Sequence, residues 1–299
     1  MSNLNTHNNQ STHEDSSIQA EIWDKLWKRW EIRALDISSF SVSVKNGRVL
    51  LRGHLTMDSN RRLIESTCET IPGVVGVDNC LVIDHDLTMQ VAQALAQDGR
   101  TRSLILPVGS YHGWVGIGGH VPNRSLQLAA QEVAASVSSV RGVISLPSVI
   151  GQDSLPQRHP VEPQVASQVY NLDGQVGTVT QVVIDPQTRL VNQIAVKAID
   201  MWDGTPVRGE YLVPVASITL ANKESVFLKR DGRRLQSFPP FDPSAYSLAP
   251  ETWQPPYPYL PGTVLWTARQ AQPAQDATYT LESHRQAAGA ARKEEMVIQ

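Results

Sequence analysis

The sequence predicts an α+β protein: two α-β-β-α-β units, then a small all-β barrel, then a proline-rich extended strap. Three observations carry this. The pattern G-x-V-x-[LI]-x-G-H-[LV] occurs twice, as Gly47-Arg48-Val49-Leu50-Leu51-Arg52-Gly53-His54-Leu55 and again from Gly113 to Val121, 66 positions later. Each copy sits in the same order of helical and alternating segments. Beyond residue 152 the helical periodicity stops, and short alternating segments separated by turn residues take over.

Taken in order, residues 1–17 are polar and acidic and read as a disordered N-terminus. Ile18 to Leu35 reads as one helix, with Trp23, Trp27 and Trp30 on the face that carries Ile22 and Leu26, flanked by Lys25, Lys28, Arg29 and Arg33. Phe40–Lys45 and Arg48–Leu51 are strands joined by Asn46-Gly47, a two-residue pair that favours a type I′ turn. Asp58 is placed to cap a helix carrying Leu63, Ile64, Thr67, Cys68 and Ile71, which Pro72-Gly73 stops before a strand at 73–83. The second unit repeats this with helices at Leu87–Gln97 and about Arg124–Val140 and a closing strand at Gly142–Ile150. Two helices on one face of a three-stranded sheet bury the alternating Val and Leu side chains of each unit. The units are bounded at 18–85 and 86–151.

Residues 152–164 form a linker with three prolines between Gln152 and Pro163. Val169–Gly174, Gly177–Ile184, Val191–Lys197, Glu210–Pro214 and Ser225–Lys229 are strands of a domain at 165–231, whose spacing suits a barrel that closes its own edges. Residues 232–268 hold eight prolines between 239 and 261, interleaved with Phe238, Phe241, Tyr246, Trp253, Tyr257 and Tyr259. Such a segment is extended, and either wraps its own barrel or docks on a partner. The tail at 269–299 reads as disordered or weakly helical.

The motif G-x-V-x-[LI]-x-G, with the later Gly73-Val74-x-x-Val77-x-Asn79-x-Leu81, resembles the BON domain family in tandem copies over residues 18–151. In the second copy Leu146, Ser148 and Ile150 replace Val77, Asn79 and Leu81, so its motif is degraded. Asp173-Gly174-x-x-Gly177-x-Val179-x-x-Val182-x-Ile184-Asp185, followed by Leu212-Val213-Pro214-x-x-x-Ile218, resembles the PRC-barrel family over about 165–231. The first resemblance implies attachment to phospholipid surfaces or envelope assemblies, and the second a non-catalytic module that docks protein partners.

Composition narrows the function further. The chain has 299 residues, with 26 Lys plus Arg against 29 Asp plus Glu, a net charge of -3, so the basic footprint of a nucleic-acid binder is missing. Two cysteines, no secretory signal and no long apolar run point to a cytoplasmic protein with no transmembrane segment, peripheral to the inner membrane at most. Nucleotide-binding, zinc-protease and nucleophile-elbow patterns are absent. No enzyme, cofactor or metal site is expected.

Candidate lipid or ligand contacts are Trp23, Trp27, Lys28 and Arg29, whose aromatic and basic pattern suits a membrane interface or, in the alternative, packing on the unit's own sheet. Gly53-His54 and Gly119-His120 occupy equivalent motif positions and offer a ligand pair or, more simply, solvated strand ends. Asp173, Gly174 and Pro214 are the candidate partner contacts of the barrel. Cys68 and Cys80 read as buried free thiols, and Asp185, Asp200 and Asp203 as turn residues. The expected function is a non-enzymatic adaptor between a lipid surface and a protein; a cation or small-ligand sensor and a ribosome-associated assembly factor are the alternatives.

Overall fold

The computed structural model describes residues 3–153, 160–199, 201–202, 205–206, 209–229, 234–250 and 252–267. Helix α1 runs Asn3–Trp27, so it begins inside the segment expected to be disordered. Its anchor is tertiary: Ile18 is buried, and the Asp15 carboxylate accepts hydrogen bonds from the amides of Asn46 (2.7 Å) and Gly47 (2.8 Å). Packing supports a helix that propensity alone leaves marginal. The expected single helix to Leu35 is instead broken: Arg29 is extended (φ -84°, ψ 108°), and α2 restarts at Trp30–Leu35.

Strands β1 (Phe40–Lys45) and β2 (Arg48–Leu55) form the hairpin, with Asn46 and Gly47 at φ 52° and 72°, the left-handed pair that a type I′ turn requires. Helix α3 (Asp58–Glu69) crosses back so that β3 (Gly76–Ile83) pairs parallel to β2. Asp58 is not the cap. It is the first helical residue and pairs with Arg61 and Arg62, both at 2.5 Å. Ile22, Leu26, Phe40, Leu51, Leu55 and Ile64 make the core between α1, α3 and the sheet.

The second repeat follows without a gap: α4 (Asp84–Gln97), β4 (Val108–Tyr111), β5 (Trp114–Ile117), β6 (His120–Val121), α5 (Arg124–Ser136), β7 (Gly142–Ser145) and β8 (Ser148–Val149). The order β4-β5-β7 copies β1-β2-β3, but the continuous strands expected here are split, and β6 pairs β8 as a separate ladder. Gly118 continues the β4–β5 register, donating to the Pro107 carbonyl (2.8 Å), while on the other side Pro147 interrupts the strand that carries β7 and β8.

In the C-terminal part, β9 (Gln168–Asn171), β10 (Gly174–Ile184), β11 (Val191–Ala198), β12 (Met201–Trp202), β13 (Thr205–Pro206), β14 (Glu210–Pro214), β15 (Ile218–Ala221) and β16 (Ser225–Leu228) are joined by β17 (Tyr246–Leu248) and β18 (Val264–Thr267). The main ladder runs β14-β11-β10-β9-β16-β15 and curls around Val169, Val182, Ile194, Val213 and Val226. Its end strands β14 and β15 do not pair with each other, so closure is partial, a half-barrel.

The proline-rich segment completes this core. Phe238 and Tyr259 are buried in it, the Pro239 carbonyl accepts from the Leu212 amide (2.9 Å), and β18 pairs parallel with β10. The strap therefore wraps its own sheet. Asp200, Asp203 and the tail from 268 onward lie outside the described residues. No helix among those described is long and apolar enough to cross a membrane.

Candidate functional site

The break after Trp27 separates the three tryptophans expected on one face. Trp23 stacks on Phe40 (ring centroids 5.3 Å apart) and joins the first core, whereas Trp27 is 57% and Trp30 66% exposed. Packing on the sheet thus accounts for Trp23 alone. Lys28 pairs with Asp24 at 2.6 Å and Lys25 with Glu21 at 3.4 Å; the exposed Arg29 has no ion pair among the described residues. Lys25, Lys28 and Arg29 line one wall of an open groove of about 390 Å³, with Leu63 and Ser66 of α3 and Thr70 at its C-terminal end opposite. Basic side chains beside two unpartnered indoles can meet an anionic, partly apolar surface.

The motif glycines are structural. Gly53 adopts φ 134°, and a Cβ there would lie 2.4 Å from the Ser39 carbonyl; Gly119 adopts φ 92°, with the Ile105 carbonyl at 2.5 Å. The histidines that follow them part company. His120 is exposed on β6, and His54 is buried with its ring against Gly113 of the second repeat. They form no pair, and His54 is not a solvated strand end. Its Nε2 lies 2.7 Å from the Ser139 carbonyl, which requires Nε2 to carry the hydrogen. Burial, opposed by that carbonyl and reinforced by Arg141, drives the imidazole down to about 4.

Sequence reasoning missed the residues that join the modules. Arg141 clamps Glu162 with both ends of its guanidinium (Nε to Oε1, 2.7 Å) and lies between the rings of Trp114 (4.8 Å) and Tyr257 (5.1 Å). Burial raises the Glu162 carboxyl above its usual range even though Arg141 opposes it. Arg189, on the β10–β11 turn, reaches back to the carbonyls of Val140 (2.5 Å) and Ser138 (3.2 Å) just past α5 and to that of Gln254 (2.8 Å) in the strap. Burial lowers it to about 10. A second missed pair is Asp15 and Asp84, which hold the hairpin turns of the two repeats in the same way. Asp84 accepts from the amides of His112 (2.7 Å) and Gly113 (2.9 Å), residues at φ 50° and 81°. The signal was present as an Asp ahead of each repeat, 32 residues before Gly47 and 29 before Gly113.

The remaining candidates are dispersed. Gly174 starts β10, whereas Pro214 pairs Gln193, itself opposite Val183 near the other end of β10. Nine positions at ~3.3 Å per residue put about 30 Å of strand between them. Asp173 is exposed in the β9–β10 turn, so these three residues make no single face. Cys68 is buried and its thiol pushed up to about 12 by burial, but Cys80 is exposed. Asp185 holds its turn by accepting from the Gln187 amide (2.8 Å) and the Thr188 hydroxyl (2.9 Å).

Comparison with curated proteins finds none that matches. Among solved structures, the chain is similar to CdsD, a structural protein of the Type III secretion system of Chlamydia trachomatis, at 18% identity and a TM-score of 0.36, covering 46% of this chain and 63% of that one. A structure of the CdsD C-terminal domain matches at 13% identity and a TM-score of 0.31, over 40% of this chain and 60% of that one. The chain therefore spans less than two thirds of the solved chains it resembles. Against family models, the two repeats match the same one: residues 14–84 and residues 83–150 each match the BON domain.

Proposed function

We propose that this chain is a non-enzymatic binding protein whose first BON domain attaches to an anionic phospholipid surface through Trp27, Trp30, Lys28 and Arg29. BON domains are in general phospholipid- or envelope-binding modules without catalysis, and the carrying observation is the pair of indoles left exposed where the helix breaks. Indole rings partition to the interface between headgroups and acyl chains, and each nearby basic residue adds about 1 kcal/mol on an anionic membrane. The protein then sits at the periphery of the inner membrane, on its cytoplasmic side.

The C-terminal half-barrel, which we read as PRC-type, docks a protein partner. What supports this is its outer face rather than Asp173, Gly174 and Pro214. Tyr170, Phe227 and Leu220 are register neighbours across β9, β16 and β15; Tyr170 and Phe227 stack at 5.4 Å, and Leu220 is 56% exposed.

Flotation with phosphatidylglycerol and phosphatidylcholine vesicles tests the lipid reading. The chain is expected to float with the anionic vesicles alone, with tryptophan emission shifted to the blue and binding lost at high salt. Trp27→Ser combined with Lys28→Glu should weaken binding at least about tenfold without lowering stability, since both side chains are exposed. A chain that stays at the bottom of the gradient with every vesicle ends the membrane reading.

A further inference from the structure

Two histidines cross the seam between the BON domains in opposite directions. His54 of the first reaches the Ser139 carbonyl of the second at 2.7 Å, and His112 of the second reaches the Asp36 carboxylate of the first at 3.3 Å. The surroundings of the two rings differ. His112 faces a buried carboxylate, which also accepts from Thr56 and Asn60. A proton on His54 lands on Nδ1, which is buried and has no hydrogen-bond partner among the described residues. It would also face the Arg141 guanidinium and His112. Asp84 is the carboxylate on the favourable side, but its oxygens already accept from Ser110, His112 and Gly113. The Tyr257 ring of the strap covers His54 edge-on at 6.2 Å, and Gly113 leaves the ring no room to swing: a Cβ there would lie 2.5 Å from it.

We propose that this seam is a proton-operated joint: protonating His54 releases the first BON domain from the second and from the strap. The closed seam admits only neutral His54, whereas an opened one exposes an ordinary imidazole of pKa ~6.5. The sign follows. A base whose closed-state value is depressed to about 4 stabilises the closed form fully above the open-state value of ~6.5 and progressively less as pH falls towards about 4. Across that window the ratio of open to closed rises about tenfold per pH unit. Asp36, held below its usual range by His112, Asn60 and Thr56 against the upward push of burial, loses its own contribution only at lower pH.

Spin labels on the full chain read the seam directly, one on exposed Cys80 and one at Ser125→Cys on α5. The expected result is a long-distance population that grows about 15-fold between pH 6.5 and 5. His54→Gln keeps an N–H for the Ser139 carbonyl and cannot take up a proton, so its distances should be independent of pH. His112→Gln removes the contact that opposes opening and should retain the acid response. Distances in the wild type that do not change down to pH 4.5 would overturn the proposal, as would the same acid response in His54→Gln. Should that variant fail to fold, the imidazole nitrogen shifts of His54 in the wild type decide: titration at the ordinary value of ~6.5 with the seam still closed also overturns it.

Discussion

Gly53→Ala is expected to unfold the first BON domain, at a cost of about 4 kcal/mol or more. The new methyl would lie 2.4 Å from the Ser39 carbonyl and 2.5 Å from the Phe40 Cα, at a φ of 134° that side-chain-bearing residues rarely adopt. Phe40 is the β1 residue opposite Gly53 and is itself fully buried, so relief requires moving β1 off β2 and opening the core behind it. Urea denaturation followed by circular dichroism measures the loss. Gly109→Ala, with nothing within 4 Å of its Cβ, is the control and should stay within about 0.5 kcal/mol of the parent. Gly119→Ala should cost less than Gly53→Ala, because the Ile105 carbonyl it meets belongs to a loop that can give. A Gly53→Ala chain within 1 kcal/mol of the wild type would show that β1 does not press on this glycine.

The second large effect is expected at Asp84. Its carboxylate takes the Ser110 hydroxyl (2.9 Å) and the His112 and Gly113 amides, all inside a residue only 6% exposed. Asp84→Ala leaves two turn amides without an acceptor, at about 1–3 kcal/mol each for a buried group, so the second BON domain should lose about 3 kcal/mol. Asp15→Ala removes the same bonds from the first hairpin, where water can replace part of them, and should cost about 1 kcal/mol. Asp84→Asn, which retains one acceptor oxygen, belongs between the two. Equal effects at both positions in denaturation curves would mean that burial does not set the cost.

What the sequence disclosed was local. Strand alternation, the Asn46-Gly47 turn and the apolar periodicity of α3 and α5 all act within a few residues; they disclosed the mixed α+β character of both repeats, but neither the helix break at Arg29 nor the split strands of the second. The helix break at Arg29 was hidden because Trp27 and Trp30 continue an apolar spacing while facing solvent. His54 was hidden for a different reason: the carbonyl that decides its state is 85 residues away. Arg141 and Arg189 look like ordinary surface charges until the aromatic strap and the helix end close over them. The exposed Trp27, with Lys28 and Arg29, is the part of the candidate site that was legible before the fold was in view.

The reach of Arg189 also bears on the order in which this chain can fold as it leaves the ribosome. The first BON domain closes from its own residues, with the Asp15 clip, the hairpin and both core helices all contributed before Ile83. The second cannot finish when its last residue emerges, because the Ser138 and Val140 carbonyls past α5 wait for a guanidinium encoded 49 residues after Val140. At synthesis rates of ~5–20 residues per second that is a delay of about 2–10 s. The strap carbonyl at Gln254, another 65 residues on, is later still. A fragment ending at residue 150, the boundary that the family match suggests, would therefore hold the second domain in this nascent state for good.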